Sequence, residues 1–278
     1  MLDGLLILDK EAGVTSRRVD NLVQKKFHLK KVGHLGTLDP FATGLLVLAL
    51  GKGSKCLPYL KDAPKTYLAS LELGTKTDTG DKDGQIIETR PVEAIVDAKI
   101  VEALSSFLGV SYQLPPMTSA IKIDGVPLYK LAHKGEEIER KRRRIEVYSI
   151  KMIFRLGKRI DFVVSVSSGT YIRVLGEDIA ARLGNIGHLV ALRRIGVGDI
   201  DISMSKPFDE ISEEDILNPL PYINLPRFEL DEAQCKKALN GVALPIPLSG
   251  ECLLVYRNQA IAVYEGDGAI AHSKRGLF

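Results

Sequence analysis

The sequence contains no tryptophan and only three cysteines among its 278 residues. These cysteines, Cys56, Cys235 and Cys252, are odd in number and widely separated, and no Cys-x-x-Cys pair occurs. This pattern predicts neither a disulfide framework nor a cysteine-based zinc site. We therefore expect a protein of a reducing compartment, with the cytoplasm as the default location.

Long apolar runs are also lacking. The longest extends from Leu45 to Leu50, whereas a helix needs about 20 predominantly apolar residues to cross a bilayer. The N-terminus carries the acidic Asp3 ahead of the short apolar run 5–8, which is unlike a secretory leader. The sequence thus predicts neither a membrane-spanning helix nor a signal peptide.

Motifs for cofactors are missing as well. The stretch from Gly44 to Lys52 has the wrong spacing for a phosphate-binding loop, and Gly53 stands where that loop needs Ser or Thr. No Gly-x-Gly-x-x-Gly occurs, and the five histidines form no His-x-x-x-His pair. We therefore predict no metal and no other cofactor.

The apolar periodicity indicates an α+β fold. Eight segments have patterns typical of strands and three have helical spacing; the strands are 5–8, 45–50, 67–73, 145–154, 160–166, 191–197, 252–255 and 260–264, and the helices are 16–27, 97–108 and 171–183. Because strands and helices do not alternate regularly, we expect a mixed, largely antiparallel sheet flanked by helices. Residues 75–84 are predicted to form a loop, and residues 205–232, which are rich in proline and acidic side chains, are predicted to form a linker with short helices.

The net charge is small, but it is unevenly distributed. Lys and Arg number 38 against 35 Asp and Glu. Residues 1–65 carry a net charge of +5 and residues 130–144 a net charge of +4, whereas residues 206–232 carry −6. A single charged run is usually a solvated face. Two separated basic regions, however, favour a nucleic acid partner, because neutralising phosphates supplies most non-specific affinity.

The most unusual stretch lies between Gly33 and Gly44 and reads Gly-His-Leu-Gly-Thr-Leu-Asp-Pro-Phe-Ala-Thr-Gly. Its glycines permit tight turns and the close approach of a ligand to the backbone. Pro40 disfavours the helical region for Asp39, which places this carboxylate on an irregular loop. Considered alone, Asp39 could equally form an Asx turn, and His34 could be a structural histidine.

This stretch resembles the signature of the bacterial tRNA pseudouridine synthase B family, whose members make pseudouridine at position 55 of the tRNA T-loop. Five further blocks resemble the same family in the same order along the chain; they are residues 6–10, 65–84, 115–129, 168–173 and 192–194. Together they extend over about residues 4–198. The number of blocks and their order argue against chance agreement.

The resemblance implies three catalytic residues. Asp39 matches the essential carboxylate, the proposed nucleophile of a reaction that breaks the bond from uracil N1 to the ribose and rejoins the base through C5. A carboxylate suits this reaction because it attacks covalently or stabilises a cationic ribose without a cofactor. Arg173 matches a buried arginine that pairs with this aspartate. Tyr67 matches a tyrosine that stacks on the uracil and is proposed to take or relay the C5 proton.

Further positions match residues that contact RNA. Tyr171 and Leu192 match residues that line the uracil pocket. His34 matches a histidine that stacks in the gap left by the extruded uridine, which offsets the cost of unstacking the base. We expect Lys10, Lys122 and the basic run 140–144 to contact phosphate or to brace the family's thumb insertion.

The resemblance also implies a domain organisation. Residues 1–229 would form the pseudouridine synthase catalytic domain, with the thumb insertion at about 114–144. Residues 230–278 would form a small, shortened PUA-like module that is rich in β-structure.

Three functions remain open from the sequence. The first is a cytoplasmic monomer that isomerises uridine in the T-stem-loop of tRNA. The second is a pseudouridine synthase that acts on another RNA, and the third is a tRNA-binding or tRNA-folding protein without chemistry. The presence of Asp39, Tyr67 and Arg173 together favours the first.

Overall fold

The structure is a computed structural model, and it describes residues 2–119, 121–123, 125–128 and 138–277. The chain divides into two compact units, each assembled from segments distant in sequence. Unit 1 consists of Met1–Asp39, Leu45–Asp62 and Gly198–Phe278, and unit 2 consists of Pro40–Gly44 and Ala63–Val197. Within the described ranges, no helix is long and apolar enough to cross a membrane.

The N-terminal part of unit 1 contains the two strands and the helix that its apolar pattern predicts, together with a short strand, Val32–Leu35, that the pattern did not indicate. The elements are β1 (Gly4–Lys10), α1 (Ser16–Lys26), β2 (Val32–Leu35) and β3 (Thr43–Leu50). The first two residues of β3 belong to unit 2. Leu45 to Leu50 are all fully buried, as an uninterrupted apolar strand requires. The Thr15 side chain accepts the backbone N–H of Arg18 at 3.1 Å and so caps α1. The predicted strand and helix are therefore confirmed.

The expected linker 205–232 is instead part of the packed body of unit 1. The backbone N–H of Leu5 donates to the Leu217 carbonyl at 2.9 Å, and Leu217 returns the bond at 2.7 Å. Ile211 is buried in the core that β1 and α1 share. Two short 3-10 helices, Glu213–Asp215 and Leu220–Tyr222, lie in the region as predicted, and strand β13 (Ile200–Asp201) precedes it. The linker prediction was wrong because these non-local contacts leave no periodic pattern in the sequence.

The C-terminal part of unit 1 is a four-stranded sheet with one helix. Its strands are β14 (Arg227–Glu229), β15 (Ser249–Tyr256), β16 (Gln259–Asp267) and β17 (Ala271–Gly276). Its helix is α4 (Glu232–Leu239), whereas α2 and α3 lie in unit 2. The strand order is β14-β15-β16-β17, with only the first pair parallel. Leu254 and Tyr264 are fully buried in a core of their own. The predicted β-rich module is therefore confirmed.

Unit 2 contains five neighbouring strands in the order β12-β4-β11-β10-β7. Their bounds are β4 (Lys65–Leu73), β7 (Gly109–Gln113), β10 (Arg143–Leu156), β11 (Arg159–Val166) and β12 (Gly187–Val197). These neighbours are antiparallel, whereas the first two residues of β3 pair in parallel with Arg193 and Arg194 of β12. The mixed, largely antiparallel sheet predicted from the sequence is confirmed.

The remaining elements of unit 2 are two helices and two small hairpins. Their bounds are α2 (Asp97–Ser105), α3 (Ile172–Arg182), β5 (Thr75–Thr77) with β6 (Ile86–Thr89), and β8 (Lys122–Ile123) with β9 (Val126–Pro127). The predicted loop 75–84 was wrong at its start, because β5 pairs with β6 through backbone bonds that need no apolar side chains. Of the expected thumb, residues 120, 124 and 129–137 lie outside the described residues.

Candidate active site

The loop that carries Asp39 is fastened to helix α1 at the residue before it. The Ser16 hydroxyl, fully buried at the start of α1, donates to the Leu38 carbonyl at 3.1 Å and accepts the Leu38 N–H at 2.9 Å. One side chain therefore satisfies both backbone groups of Leu38. Asp39 follows directly and is half-buried. The sequence pattern identified Ser16 only as part of a helix start and missed this contact.

Gly44 ends the same stretch in a conformation that other residues rarely adopt. Its φ is +99°, and a Cβ at this position would lie 2.3 Å from the Arg194 carbonyl oxygen. Both facts require glycine here. The expected close approach to the backbone is thus present, although strand β12 makes it rather than a ligand.

The His34 imidazole has a partner at each ring nitrogen. Nδ1 lies 3.0 Å and 2.9 Å from the two carboxylate oxygens of Asp20, and Nε2 lies 3.1 Å from the Thr37 hydroxyl. The His34 side chain is 17% exposed. Asp20 is buried on α1, and the sequence reasoning did not identify it.

Tyr67 and Leu192 lie on neighbouring antiparallel strands and share one face of the sheet. Tyr67 on β4 is opposite Arg194 on β12, and Leu192 is opposite Ala69. Residues offset by two positions across such a pair are diagonal neighbours. Both side chains are 6% exposed. The sheet therefore brings together two of the residues predicted to contact uracil.

Two hydrogen bonds with the Gln113 side chain clamp the backbone of Tyr171, as the two bonds with Ser16 hold Leu38. The Tyr171 N–H donates to the Gln113 side-chain oxygen at 2.8 Å, and the Gln113 amide donates back to the Tyr171 carbonyl at 3.0 Å. Gln113 ends β7 and is buried. Tyr171 is the N-cap of α3, so Gln113 also sets the start of the helix that carries Arg173. The sequence offered no signal for Gln113.

Arg173 is buried, as the resemblance implies, with 3% of its side chain exposed. Its Nη1 donates to the Thr79 carbonyl and to the Thr118 hydroxyl, both at 2.7 Å, and its Nη2 donates to the Thr118 carbonyl at 3.1 Å. Its Nε lies 3.6 Å from a carboxylate oxygen of Asp81. Arg173 thus ties α3 to two loops. Its predicted pairing with Asp39 stays a prediction.

Lys10 is buried rather than exposed to solvent. Its side chain donates to the backbone carbonyls of Glu11 at 2.8 Å and Val14 at 2.7 Å, and the residue is 1% exposed. These contacts support a structural role in closing the turn between β1 and α1 more than the predicted contact with phosphate. The backbone of Lys122 lies in β8, and its side chain falls outside the described residues.

The basic run 140–144 bonds back to the protein at several points. Arg140 donates to the Pro115 carbonyl at 2.8 Å, and Arg142 donates to the Tyr112 carbonyl at 3.3 Å. Arg144 pairs with Glu146 at 3.3 Å. Arg142 and Arg144 remain exposed, so they present positive charge at the surface beside β7.

Cys56 and Glu177 are two titratable side chains with raised pKa values. Burial raises the pKa of the Cys56 thiol to about 12, so that at neutral pH it is not a thiolate nucleophile. Burial also raises the pKa of the Glu177 carboxyl on α3, and the nearby Lys76 opposes that rise. Among the residues that the structure describes, no three His, Cys, Asp or Glu side chains cluster as metal ligands would.

Sequence comparison finds similarity to one family along much of the chain. Residues 24–172 match the model of the TruB family pseudouridylate synthase N-terminal domain. A tRNA pseudouridine synthase B from Oenococcus oeni is 41% identical over 100% of this chain and 98% of its own length. Another protein of that name, from Dechloromonas aromatica, is 40% identical over 99% of this chain and 95% of its own.

Comparison of structures finds similar folds at lower identity. A chain from a Cbf5-Nop10-Gar1 complex superposes with a TM-score of 0.76 and 23% identity, over 100% of this chain and 85% of the other. A chain from an H/ACA ribonucleoprotein bound to a substrate RNA containing 2′-deoxyuridine gives 0.76 and 21%, over 100% and 86%. These likenesses concern the fold, and they confirm the expected α+β architecture with its C-terminal module.

Proposed function

The chain belongs to the TruB family of pseudouridylate synthases, and we propose that it converts uridine 55 in the T-loop of tRNA into pseudouridine. The observation that carries the proposal is the near full-length similarity, at about 40% identity, to proteins named tRNA pseudouridine synthase B. We also propose that the activity is cytoplasmic. We further propose that the enzyme works as a monomer and without a cofactor.

Asp39 is the proposed nucleophile. Its carboxylate attacks the ribose or stabilises a cationic ribose while the bond to uracil N1 breaks, and the detached base then turns and rejoins through C5. This role requires a carboxylate whose position is fixed before the substrate arrives. The two bonds between Ser16 and Leu38 support the assignment, because they immobilise the backbone immediately before Asp39.

Tyr67, Tyr171 and Leu192 are proposed to surround the uracil. Recognition of a base extruded from an RNA loop depends on stacking and on apolar contact. The shared sheet face of Tyr67 and Leu192 and the Gln113 clamp on Tyr171 support this assignment. Tyr67 is also the proposed acceptor or relay of the C5 proton.

Arg173 is proposed to support the catalytic carboxylate, and its pairing with Asp39 belongs to the same proposal. A guanidinium buried among Thr79, Thr118 and Asp81 can hold one orientation, as such pairing would need. His34 is proposed to fill the space left by the extruded uridine. Lys122 is proposed to contact phosphate. Lys10 is proposed to brace the protein through its bonds to the carbonyls of Glu11 and Val14.

We also propose that two parts of the chain have different roles. Residues 1–229 carry out the chemistry, and residues 230–278 form the accessory PUA-like module. The exposed basic side chains of Arg142 and Arg144 would add electrostatic affinity for the phosphate backbone.

The decisive experiment uses an RNA minihelix that contains only the T-stem and T-loop. Incubation with the protein, followed by mapping of pseudouridine, should give one modified position, equivalent to uridine 55. The variants D39A and D39N should retain the wild-type melting temperature but lower the rate by more than about a thousandfold. The matched control is D62N, which alters an exposed aspartate, and it should react at the wild-type rate.

Three outcomes would each contradict part of the proposal. Salt-sensitive binding of tRNA with no modified base after long incubation would identify an RNA-binding protein without chemistry. Faster modification of a different RNA in direct competition with the minihelix would identify a synthase with another substrate. Equal rates for D39A and the wild type would remove Asp39 from the mechanism.

A further inference from the structure

Helix α1 buries a carboxylate at Asp20, with only 2% of that side chain exposed. Its contacts are the two short ones to His34 Nδ1 and a longer one, 3.4 Å, to the guanidinium of Arg17. The Arg17 side chain is 72% exposed, so this contact is screened by water. His34 is therefore the main partner of the Asp20 carboxylate.

Burying a carboxylate is costly unless specific partners compensate for the lost water. Position 20 lies beside Val19 and Val23 of α1, which belong to an apolar core. Replacing a buried ion pair by apolar side chains of similar volume is often neutral or stabilising. The location of Asp20 is therefore better explained by what it does to His34 than by the stability of the helix.

The two contacts of the His34 ring are made at its edge. Hydrogen bonds to imidazole nitrogens lie close to the ring plane, so Asp20 and Thr37 together restrict rotation of the ring and leave its faces uncovered by these bonds. The carboxylate can only accept, which places a proton on Nδ1. In the neutral ring, Nε2 then accepts from the Thr37 hydroxyl at 3.1 Å.

We propose that Asp20 is a positioning residue that fixes the tautomer and the ring plane of His34 for stacking against RNA bases. This inference rests on the proposed function, in which His34 occupies the space left by the extruded uridine. A ring that is already oriented loses less rotational freedom when a base stacks on it.

The test compares two substitutions with a matched control. D20A removes both acceptor oxygens, whereas D20N keeps the side-chain volume and one acceptor. In single-turnover reactions with the T-stem-loop minihelix at saturating enzyme, we expect D20A to react about tenfold more slowly and D20N to lie between D20A and the wild type. The control E11Q removes an exposed carboxylate near α1 and should leave the rate unchanged.

A double substitution separates positioning from general stability. If Asp20 acts through His34, adding D20A to H34A should slow the reaction no further. A loss of the same size in the H34A background would show that Asp20 acts by another route, and the inference would fail. Wild-type rates for D20A in a protein with an unchanged melting temperature would overturn it as well.

A nitrogen-15 NMR spectrum of the histidine rings gives a readout that does not depend on activity. The wild type should show His34 with its proton on Nδ1, a signal identified by its loss in H34A. D20A should move this population toward the Nε2–H tautomer, and an unchanged signal would contradict the proposal. If the wild type fails to modify the minihelix but the tautomer still shifts, positioning stands and only the proposed function falls.

Discussion

Residues 10–194 and residues 198–277 differ in the kind of side chain that they bury. Within the described part of the chain, all twelve buried polar or charged residues fall in the first region; they are Lys10, Ser16, Asp20, Lys65, Ser70, Thr77, Asp81, Gln113, Ser119, Arg173, His188 and Arg194. The second region buries apolar residues, cysteines and Tyr264. Buried polar groups lower stability unless they are fully bonded. The contrast indicates that the first region depends on buried polar contacts, whereas the second depends on apolar packing.

The largest expected effect concerns the buried cation of the first region. Arg173→Ala removes the guanidinium beside Asp81 together with the bonds to Thr79 and Thr118. Breaking a buried ion pair costs about 3–5 kcal/mol. We therefore expect the free energy of unfolding in urea to fall by about that amount, together with a severe loss of pseudouridine formation.

Arg173→Lys sharpens the same test, since it keeps the charge and loses the planar geometry of the donors. We expect it to recover part of the stability but little of the activity. Arg182→Ala is the control, because Arg182 is exposed at the end of the same helix. A urea midpoint for Arg173→Ala equal to that of Arg182→Ala would contradict the importance of this buried network.

The second region should respond to loss of packing rather than loss of polar contacts. Tyr264 is fully buried, and its hydroxyl donates to the Val242 carbonyl at 3.0 Å. Tyr264→Ala leaves a large cavity and should lower the free energy of unfolding by about 3–5 kcal/mol. Tyr264→Phe loses only the hydrogen bond and should cost about 1 kcal/mol.

We expect substitutions in the two regions to differ in their effect on the catalytic rate. Under conditions that keep the protein folded, Tyr264→Ala should form pseudouridine at the wild-type rate per folded molecule. Calorimetry and single-turnover assays at 25 °C together measure both properties. A fall in the rate comparable with that of Arg173→Ala would mean that the C-terminal region takes part in the chemistry.

The fold could be predicted where burial leaves a period in the sequence. The run from Leu45 to Leu50 identified β3, and the spacing after Thr15 identified α1, because each element has a large buried face. Strand β17 was missed, since four of its six residues, His272 to Arg275, are exposed and polar. Backbone pairing such as that between Leu5 and Leu217 is invisible to any local pattern.

The candidate site, like the fold, could be predicted from the sequence only in part. Asp39, Tyr67 and Arg173 could be named because they sit in motifs with a recognisable order of residues. The residues that fix them or their neighbours could not be named, since their roles depend on contacts between distant segments. Ser16 bonds to a residue 22 positions away, and Gln113 to one 58 positions away. Sequence motifs identified groups for the chemistry, whereas the structure was needed to find their supports.

Lys10 allows a smaller test of what a buried charge does in the first region. Lys10→Met removes the donor to the carbonyls of Glu11 and Val14, so we expect unfolding to require about 1–3 kcal/mol less. The salt dependence of tRNA binding should not change, because the ammonium is hidden from phosphate. Lys30→Met, which alters an exposed lysine, should leave stability unchanged. A shallower salt dependence for Lys10→Met would restore the phosphate contact.

The smallest expected effects concern the dependence of stability on pH, which should have opposite signs for one carboxyl group in each region. In the first, burial raises the pKa of Glu177, so its contribution to stability is present at acid pH and is lost as the pH rises through that pKa. In the second, a hydrogen bond from Lys206 lowers the pKa of Asp215, so its contribution is present at neutral pH and is lost as the pH falls.

Glu177→Gln should therefore stabilise the protein at pH 7 and have no effect near pH 3, where the wild-type carboxyl is already protonated. Asp215→Asn should destabilise it slightly at pH 7, with a difference that shrinks toward the same acid limit. Urea unfolding of both variants between pH 3 and 7 measures the two slopes. Slopes of the same sign would show that burial of Glu177 is compensated by Lys76 and Arg173, and that the first region carries no penalty at this carboxylate.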